Sequence, residues 1–189
     1  QDMVMSGNHL YLADGAGGLQ IIDVSDPAQP CLTSSFAFAG DAYGVDVCTN
    51  YAYVAHRSPG GSPEGIPTGA NYWLTILDVT DPTQPKLAGR FDAGYYPLEH
   101  VAVSGGYAYV IGRGLIRTFD VRNPASPTDL GIDYLSPWNS ENIYALGAYQ
   151  VQQTDFTINI LYSGNANGVP TAYLTEGRQK GVPLLHVLN

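Results

Sequence analysis

The chain has 189 residues, enough for one domain with a sizeable core, and only 13% of them are charged, about half the usual share. Its formal net charge of −9, with 8 Lys and Arg in all, argues against nucleic acid or an anionic membrane surface as a partner. No apolar stretch reaches membrane-spanning length, so we expect no membrane insertion.

With 22 Gly and 14 Tyr, the composition favours short strands joined by tight turns. The chain opens with Gln1 and shows no signal-peptide pattern, which we interpret as a processed product or a fragment. Low charge, acidity and abundant Tyr and Gly favour an extracellular or cell-surface setting.

Four short elements recur in a constant order, and the first two are strands. Strand A is predicted at Met3–Gly7, Val45–Thr49, Val101–Gly105 and Ile160–Gly164. Strand B, which carries a tyrosine, is predicted at Leu10–Asp14, Ala52–His56, Ala108–Gly112 and Ala172–Glu176. In the fourth copy an inserted segment, Asn165–Pro170, separates the two strands.

Strand C and the turn after it are the clearest part of the repeat. The first copy, Leu19–Pro27, returns at Leu74–Pro82, more loosely at Leu115–Pro124, and incompletely at Gly181–Asn189. Each Asp-Pro or Asn-Pro pair suits a turn out of a sheet, because the side chain can bond its own backbone and proline cannot donate to a ladder. Since Asp23, Asp78 and Asp120 hold equivalent positions, we interpret them as turn-stabilising residues, not catalytic ones. Strand D follows at Leu32–Phe38, Leu87–Phe91 and Asp129–Leu135.

The anchor aspartates recur at spacings of 55 and 42 residues, and the shorter spacing is a normal length for a β-propeller blade of four antiparallel strands. We therefore predict an all-β fold, a β-propeller domain over 1–189. The predicted blade units are 2–38, 43–91, 99–135 and 158–189, with an insertion at 136–157. The first unit begins at strand A and the fourth ends after strand C, which predicts part of a larger propeller; a compact four-bladed ring is the alternative.

The anchors Leu19–Pro27 and Leu74–Pro82, with the preceding Tyr11–Gly15 and Tyr53–Ala55, resemble the LVIVD repeat. That family consists of β-propeller repeats found mostly in bacterial and archaeal cell-surface or secreted proteins. The third and fourth units depart from it, with Arg122-Asn123 in place of Ser/Thr-Asp and His186 in place of the anchor aspartate. The resemblance implies a non-enzymatic module that binds a protein or glycan partner or serves as a scaffold.

In a four-stranded blade the B–C and D–A loops meet at one end of the propeller, here called the candidate face. Polar and aromatic residues differ there from one repeat to the next, which marks them as candidate ligand-binding residues. They are Asp14, His56, Arg57, Tyr95, Tyr96, Glu99, His100, Arg113, Trp138 and Glu141. Such a set suits an acidic sugar; a solvated rim with a few ion pairs is the alternative.

A second hypothesis is a propeller enzyme of the polysaccharide lyase type. A basic residue, Arg57 or Arg113, would neutralise the substrate carboxylate, and His56 or His100 would abstract the neighbouring proton with the help of a tyrosine. The candidates for this chemistry are His56, His100 and Arg113, and no catalytic residue is assigned.

We expect no cofactor and no metal; Ca²⁺ held by oxygen ligands of the glycine-rich loops is the weaker alternative. The glycine-rich loops Asp14–Gly18 and Gly164–Gly168 lack the ligand pattern of a Ca²⁺ loop, and the four histidines lack zinc spacing. Incomplete propeller edges or the 136–157 insertion offer a route to self-association. Cys31 and Cys48 are predicted to be unbonded and buried, because the blade register separates an outer strand from an inner one.

Overall fold

The structure, a computed structural model, describes the backbone of residues 2–58, 71–112, 115–134, 143–145, 156–166, 169–178 and 184–188, and the side chains as far as 132 within those ranges. Its sixteen elements are all β-strands, and the described residues contain no helix, which confirms the all-β prediction. None of these residues belongs to a helix that could span a membrane.

Three sheets each contain four consecutive antiparallel strands. The first holds β1 (Asp2–Ser6), β2 (His9–Ala13), β3 (Leu19–Asp23) and β4 (Cys31–Phe36). The second holds β5 (Asp41–Cys48), β6 (Tyr51–Ser58), β7 (Asn71–Asp78) and β8 (Lys86–Gly94). The third holds β9 (His100–Ser104), β10 (Tyr107–Gly112), β11 (Leu115–Asp120) and β12 (Thr128–Tyr134). The predicted A-to-D order is confirmed in all three.

The fourth sheet is built differently. It contains β13 (Ile143–Ala145), β14 (Phe156–Ala166), β15 (Val169–Arg178) and β16 (Leu184–Leu188), in that order, with β13 parallel to β14. Strand β13 lies within the stretch predicted as an insertion. The prediction that His186 replaces the anchor aspartate was wrong: Tyr173 pairs with Val187 as Tyr11 pairs with Ile21, so His186 is at the position of Gln20. The segment Asn165–Pro170 was predicted to interrupt the fourth unit, but Asn165 pairs with Pro170 because antiparallel pairing continues along the hairpin.

The sheets stack face to face, and alternate residues of each strand therefore enter different interfaces. In β6, Ala52 and Val54 pack with Tyr11 and Ile21 of the first sheet, at the first junction. Tyr53 and Ala55 lie on the other side of β6 and pack against the third sheet at the second junction. The middle sheet is therefore buried on both faces, as a propeller blade is.

The predicted core residues follow this register. Ile21 and Ile76 have no exposed surface, and Tyr53 and Tyr109 are also buried. Val47 and Val103 are half-buried against the same clusters, and the side chain of Leu184 lies outside the described residues.

Two aspartates link the inner strands of adjacent sheets. An Asp2 carboxylate oxygen accepts a hydrogen bond from the backbone N–H of Val45, at 3.3 Å, across the first junction. Across the second junction, Asp46 accepts one from Val103, at 2.6 Å. Because β5 lies beside both β1 and β9, strand A of each blade is the inner strand.

The turns after strand C repeat closely. Asp23, Asp78 and Asp120 each accept a hydrogen bond from the backbone N–H two residues later, at 2.7, 2.9 and 3.0 Å. These bonds help to lower the pKa of all three carboxyls, and the Arg122 side chain contributes most to the fall of the Asp120 pKa to about 2. The predicted turn-stabilising role is confirmed.

Both cysteines are free thiols, but the prediction that both are buried was wrong for Cys31. Cys31 opens β4, the outermost strand of the first sheet, and is exposed there. Cys48 ends the inner strand β5 and is half-buried.

Candidate functional site

The structure places His56 and Arg57 next to each other near the end of β6 but on opposite sides of the second sheet. The side chain of His56 is only 7% exposed and faces the first sheet, with the Phe38 ring stacked on it at a centroid distance of 4.3 Å. Arg57 is exposed, and a hydrogen bond with Tyr43 is the main cause that raises its pKa. His56 and Arg57, one of the pairs that the lyase hypothesis offered, therefore do not act on the same side of the sheet.

His100 lies in a different environment, near the inner strands. Its Nδ1 is 3.8 Å from a carboxylate oxygen of Asp2, and both side chains are largely buried. Glu99 precedes it in the D–A loop, where its backbone N–H bonds to the carbonyl oxygen of Ile111 at 2.8 Å. His100 therefore lies beside Asp2, whereas His56 lies against Phe38 at the first junction.

The other predicted site residues are scattered along the candidate face. Tyr95 and Tyr96 are exposed, and the guanidinium of Arg117 lies 5.6 Å from the Tyr96 ring. Asp14 begins a glycine turn, with hydrogen bonds between Asp14 and Gly18 and between Gly17 and Asp14. No group of three metal-ligating side chains occurs in the described part of the chain. Arg113, Trp138 and Glu141 lie outside the described residues.

The first junction contains a recess of about 230 Å³, here called the junction recess. Its walls are the aromatic rings of Phe36, Phe38 and Trp73, with the polar side chains of His56, Ser58, Thr75 and Arg90. The Phe residues come from the end of β4 and the segment after it, whereas the other residues belong to β6, β7 and β8. The site therefore exists only where two blades meet.

Polar groups in the junction recess are held in fixed positions. The Nε2 of His56 lies 2.9 Å from the Thr75 hydroxyl, and its buried Nδ1 has no hydrogen-bond partner among the described residues. Burial, and then the charge of Arg90, lowers the pKa of His56 to about 4, so its ring is neutral at neutral pH. The exposed Arg90 guanidinium lies 5.0 Å from the centre of the Trp73 ring.

The second junction shows why the recess is open. Three residues before the anchor aspartate, the second sheet has Thr75 and the third has Arg117. Arg117 is 8% exposed; it donates to the carbonyl oxygen of Ala93 at 3.2 Å and to the Asp129 carboxylate at 2.6 Å, and its guanidinium lies 5.0 Å from the Phe91 ring. A long side chain therefore occupies the second junction at the position where the first has a small hydroxyl.

Sequence reasoning identified His56 but missed Phe38, Trp73, Thr75 and Arg90. These four residues lie in or beside strands, whereas the repeats predict ligand-binding residues in loops. The sequence signal for the site is the difference between Thr75 and Arg117, which hold equivalent positions in two C strands.

Two ionisable side chains of the first three sheets, the buried His56 and the partly buried Asp46, give opposing contributions to stability below neutral pH. Burial raises the pKa of Asp46 to about 6, despite hydrogen bonds from Val103 and Val47, so its stabilising contribution is present near pH 4 and is lost as pH rises through about 6. The lowered pKa of His56 acts in the other direction, and its contribution is lost as pH falls from about 6.5 to about 4.

We expect Asp46→Asn to make the contribution of His56 to the pH dependence of stability measurable. The melting temperature of this variant should fall more steeply than that of the wild type between about pH 6.5 and 4.5, because the opposing contribution of Asp46 is absent and that of His56 remains. The double variant Asp46→Asn/His56→Gln is the control and should have a flatter profile. Thermal melts monitored by circular dichroism test this, and parallel profiles for the wild type and Asp46→Asn would contradict it.

The LVIVD repeat profile matches residues 1–37, 39–60, 69–93 and 99–132. Among solved structures, a functionally unknown protein from Desulfotomaculum acetoxidans DSM 771 is similar, with a TM-score of 0.58 and 12% identity; the match covers 100% of this chain and 54% of that one. This chain thus spans about half of that protein's length. The computationally designed Ika4 protein is also similar, with a TM-score of 0.50, 11% identity and coverage of 100% of this chain and 90% of the other.

No curated protein matches the chain. The repeat profile covers more than half of it, and LVIVD repeats form β-propellers, in agreement with the stacked four-stranded sheets. The chain belongs to the LVIVD repeat family.

Proposed function

We propose that this β-propeller module is a non-enzymatic glycan-binding protein that acts outside the cell or at its surface, and that the junction recess binds an acidic sugar residue. The observation that carries the proposal is a recess walled by aromatic rings and lined by His56, whose buried Nδ1 has no hydrogen-bond partner among the described residues. A buried polar atom of this kind usually has a partner, and a ligand hydroxyl would supply one.

The remaining walls suit a sugar ring. Aromatic side chains offer flat apolar surfaces for the C–H groups of the ring, and a few fixed polar groups set its orientation. The neutral imidazole of His56 can donate or accept at Nδ1, depending on the role of Nε2 toward Thr75, and a sugar hydroxyl can satisfy either state.

Arg90 supports an acidic ligand over a neutral one. Its guanidinium is exposed at the recess and stacked near Trp73, so it is available to a carboxylate and offers paired donors. The low charge content and the LVIVD repeats support the extracellular setting.

We expect Arg90→Gln to weaken binding of a galacturonic acid trimer at least tenfold, since a charge-assisted hydrogen bond is lost. Binding of the fully methyl-esterified trimer, which carries no carboxylate charge, should change little. Arg57→Gln is the matched control, because it removes an exposed arginine from the other side of the same sheet. Isothermal titration calorimetry gives the affinities, and unchanged melting temperatures show that the variants are folded.

Equal affinity of the wild type and Arg90→Gln for the charged trimer would contradict the proposal. A loss of affinity in Arg57→Gln but not in Arg90→Gln would place an acidic-ligand site beside Tyr43 and would exclude the junction recess.

A further inference from the structure

The first sheet has an apolar face directed away from the second sheet, here called the outer face. Its residues are Met3, Met5, Leu10, Leu12, Ile22 and Leu32. Met3, Met5 and Leu32 are 57, 55 and 62% exposed. A concavity of about 910 Å³ lies on this face, with Asp14 and Gln20 as polar lining residues. An exposed apolar surface of this kind marks an interaction site.

The repeat register shows what the outer face corresponds to. Leu10, Leu12 and Ile22 are equivalent to Ala52, Val54 and Leu77 of the second sheet, as the strand pairings show. All three of these counterparts have no exposed surface, because the first sheet covers them at the first junction.

The third sheet repeats the pattern. The residues equivalent to Leu10, Leu12 and Ile22 are Ala108, Val110 and Phe119, and all three are fully buried by the second sheet. The outer face is therefore the surface on which a preceding blade would pack. The same register positions are covered by the preceding sheet at both junctions of the fold.

We propose that a second copy of this chain covers the outer face with its last sheet. At the first junction the covering residues include Tyr11, Leu19 and Ile21, with Tyr11 paired to Ile21. In the last sheet, Tyr173 is paired to Val187, and Leu185 lies two positions before Val187, as Leu19 does before Ile21. The last sheet thus carries the same residue types at the register positions that a covering blade uses.

A head-to-tail contact of this kind, made twice, gives a closed pair with two-fold symmetry. Each copy contributes one outer face and one last sheet. Association would bury apolar surface, which is the main favourable term in most protein–protein contacts.

Light scattering coupled to size-exclusion chromatography tests the pair directly. The wild type should have the mass of two chains, and Met5→Glu should have the mass of one, because a carboxylate would be buried in the contact. Leu130→Glu is the matched control: Leu130 is also 55% exposed but lies on β12, and this variant should remain paired. Met3→Glu provides a second test if Met5→Glu does not fold.

A wild type with single-chain mass at every accessible concentration would overturn the proposal. Coverage of the outer face by the chain's own last sheet would give this result. Larger, heterogeneous assemblies would overturn the closed pair, since a head-to-tail contact that does not close gives filaments. Retained pairing in both Met5→Glu and Met3→Glu would exclude the outer face.

Cross-linking tests the orientation. Met5→Cys in a Cys31→Ser background should not form a disulfide with itself in the head-to-tail pair, because the two outer faces do not meet. A disulfide-linked dimer through that position on a non-reducing gel would overturn the head-to-tail arrangement.

Discussion

Ile76→Ala is expected to lower the free energy of unfolding by about 2–5 kcal/mol, the cost of emptying a fully buried site in a packed core. Ile76 has no exposed surface and packs in the cluster that joins the second and third sheets. Truncation of Ile76 would remove contacts within the second sheet and contacts between the second and third sheets. Movement of one sheet alone therefore cannot fill the cavity. Chemical denaturation measures the change.

Leu87→Ala is the control for Ile76→Ala. Leu87 belongs to the same sheet but is 54% exposed on β8, so its truncation should change the free energy of unfolding by less than about 0.5 kcal/mol. If the two variants are equally stable, the assignment of Ile76 to the second junction is wrong.

Much of this fold could be predicted from the sequence because its turns are repeated. The Asp-Pro and Asn-Pro pairs set the end of strand C three times, and the alternation of side chains then determines which residues are buried. Ile21, Ile76, Tyr53 and Tyr109 were assigned correctly for that reason.

The fourth sheet was harder to predict for a physical reason. Its edge strand β13 has three residues and pairs in parallel with β14. Neither a hairpin turn nor a copy of the repeated Asp-Pro motif therefore predicts it from the sequence. A short strand of this kind depends on contacts distant in sequence.

The candidate site could be predicted only in part. The expectation that ligand residues lie on loops located His56, but the junction recess combines Phe38 from one blade with Trp73 and Arg90 from the next. Which side chains fill such a junction depends on their lengths. Thr75 leaves space that Arg117 occupies at the next junction, and only packing reveals that difference.

The same comparison predicts that Thr75→Arg closes the junction recess. Arginine at this position is compatible with a blade junction, since Arg117 is accommodated at the second one with a carbonyl and a carboxylate as partners. In the variant the new side chain would occupy the space beside His56 and Trp73. We expect binding of the galacturonic acid trimer to fall at least a hundredfold, because the ligand would have to displace a packed side chain.

Gln20→Arg is the matched control for Thr75→Arg. Gln20 holds the equivalent position in the first sheet, three residues before Asp23, but lies on the outer face and away from the junction recess. It introduces the same side chain and the same charge, so any general electrostatic effect on an acidic ligand is present in both variants.

A calorimetric titration of the wild type, Thr75→Arg and Gln20→Arg with the galacturonic acid trimer tests whether the junction between the first two blades is the ligand site. We expect binding by the wild type and Gln20→Arg and its loss in Thr75→Arg, with the far-ultraviolet circular dichroism of all three unchanged. Undiminished binding by a folded Thr75→Arg variant would contradict this expectation.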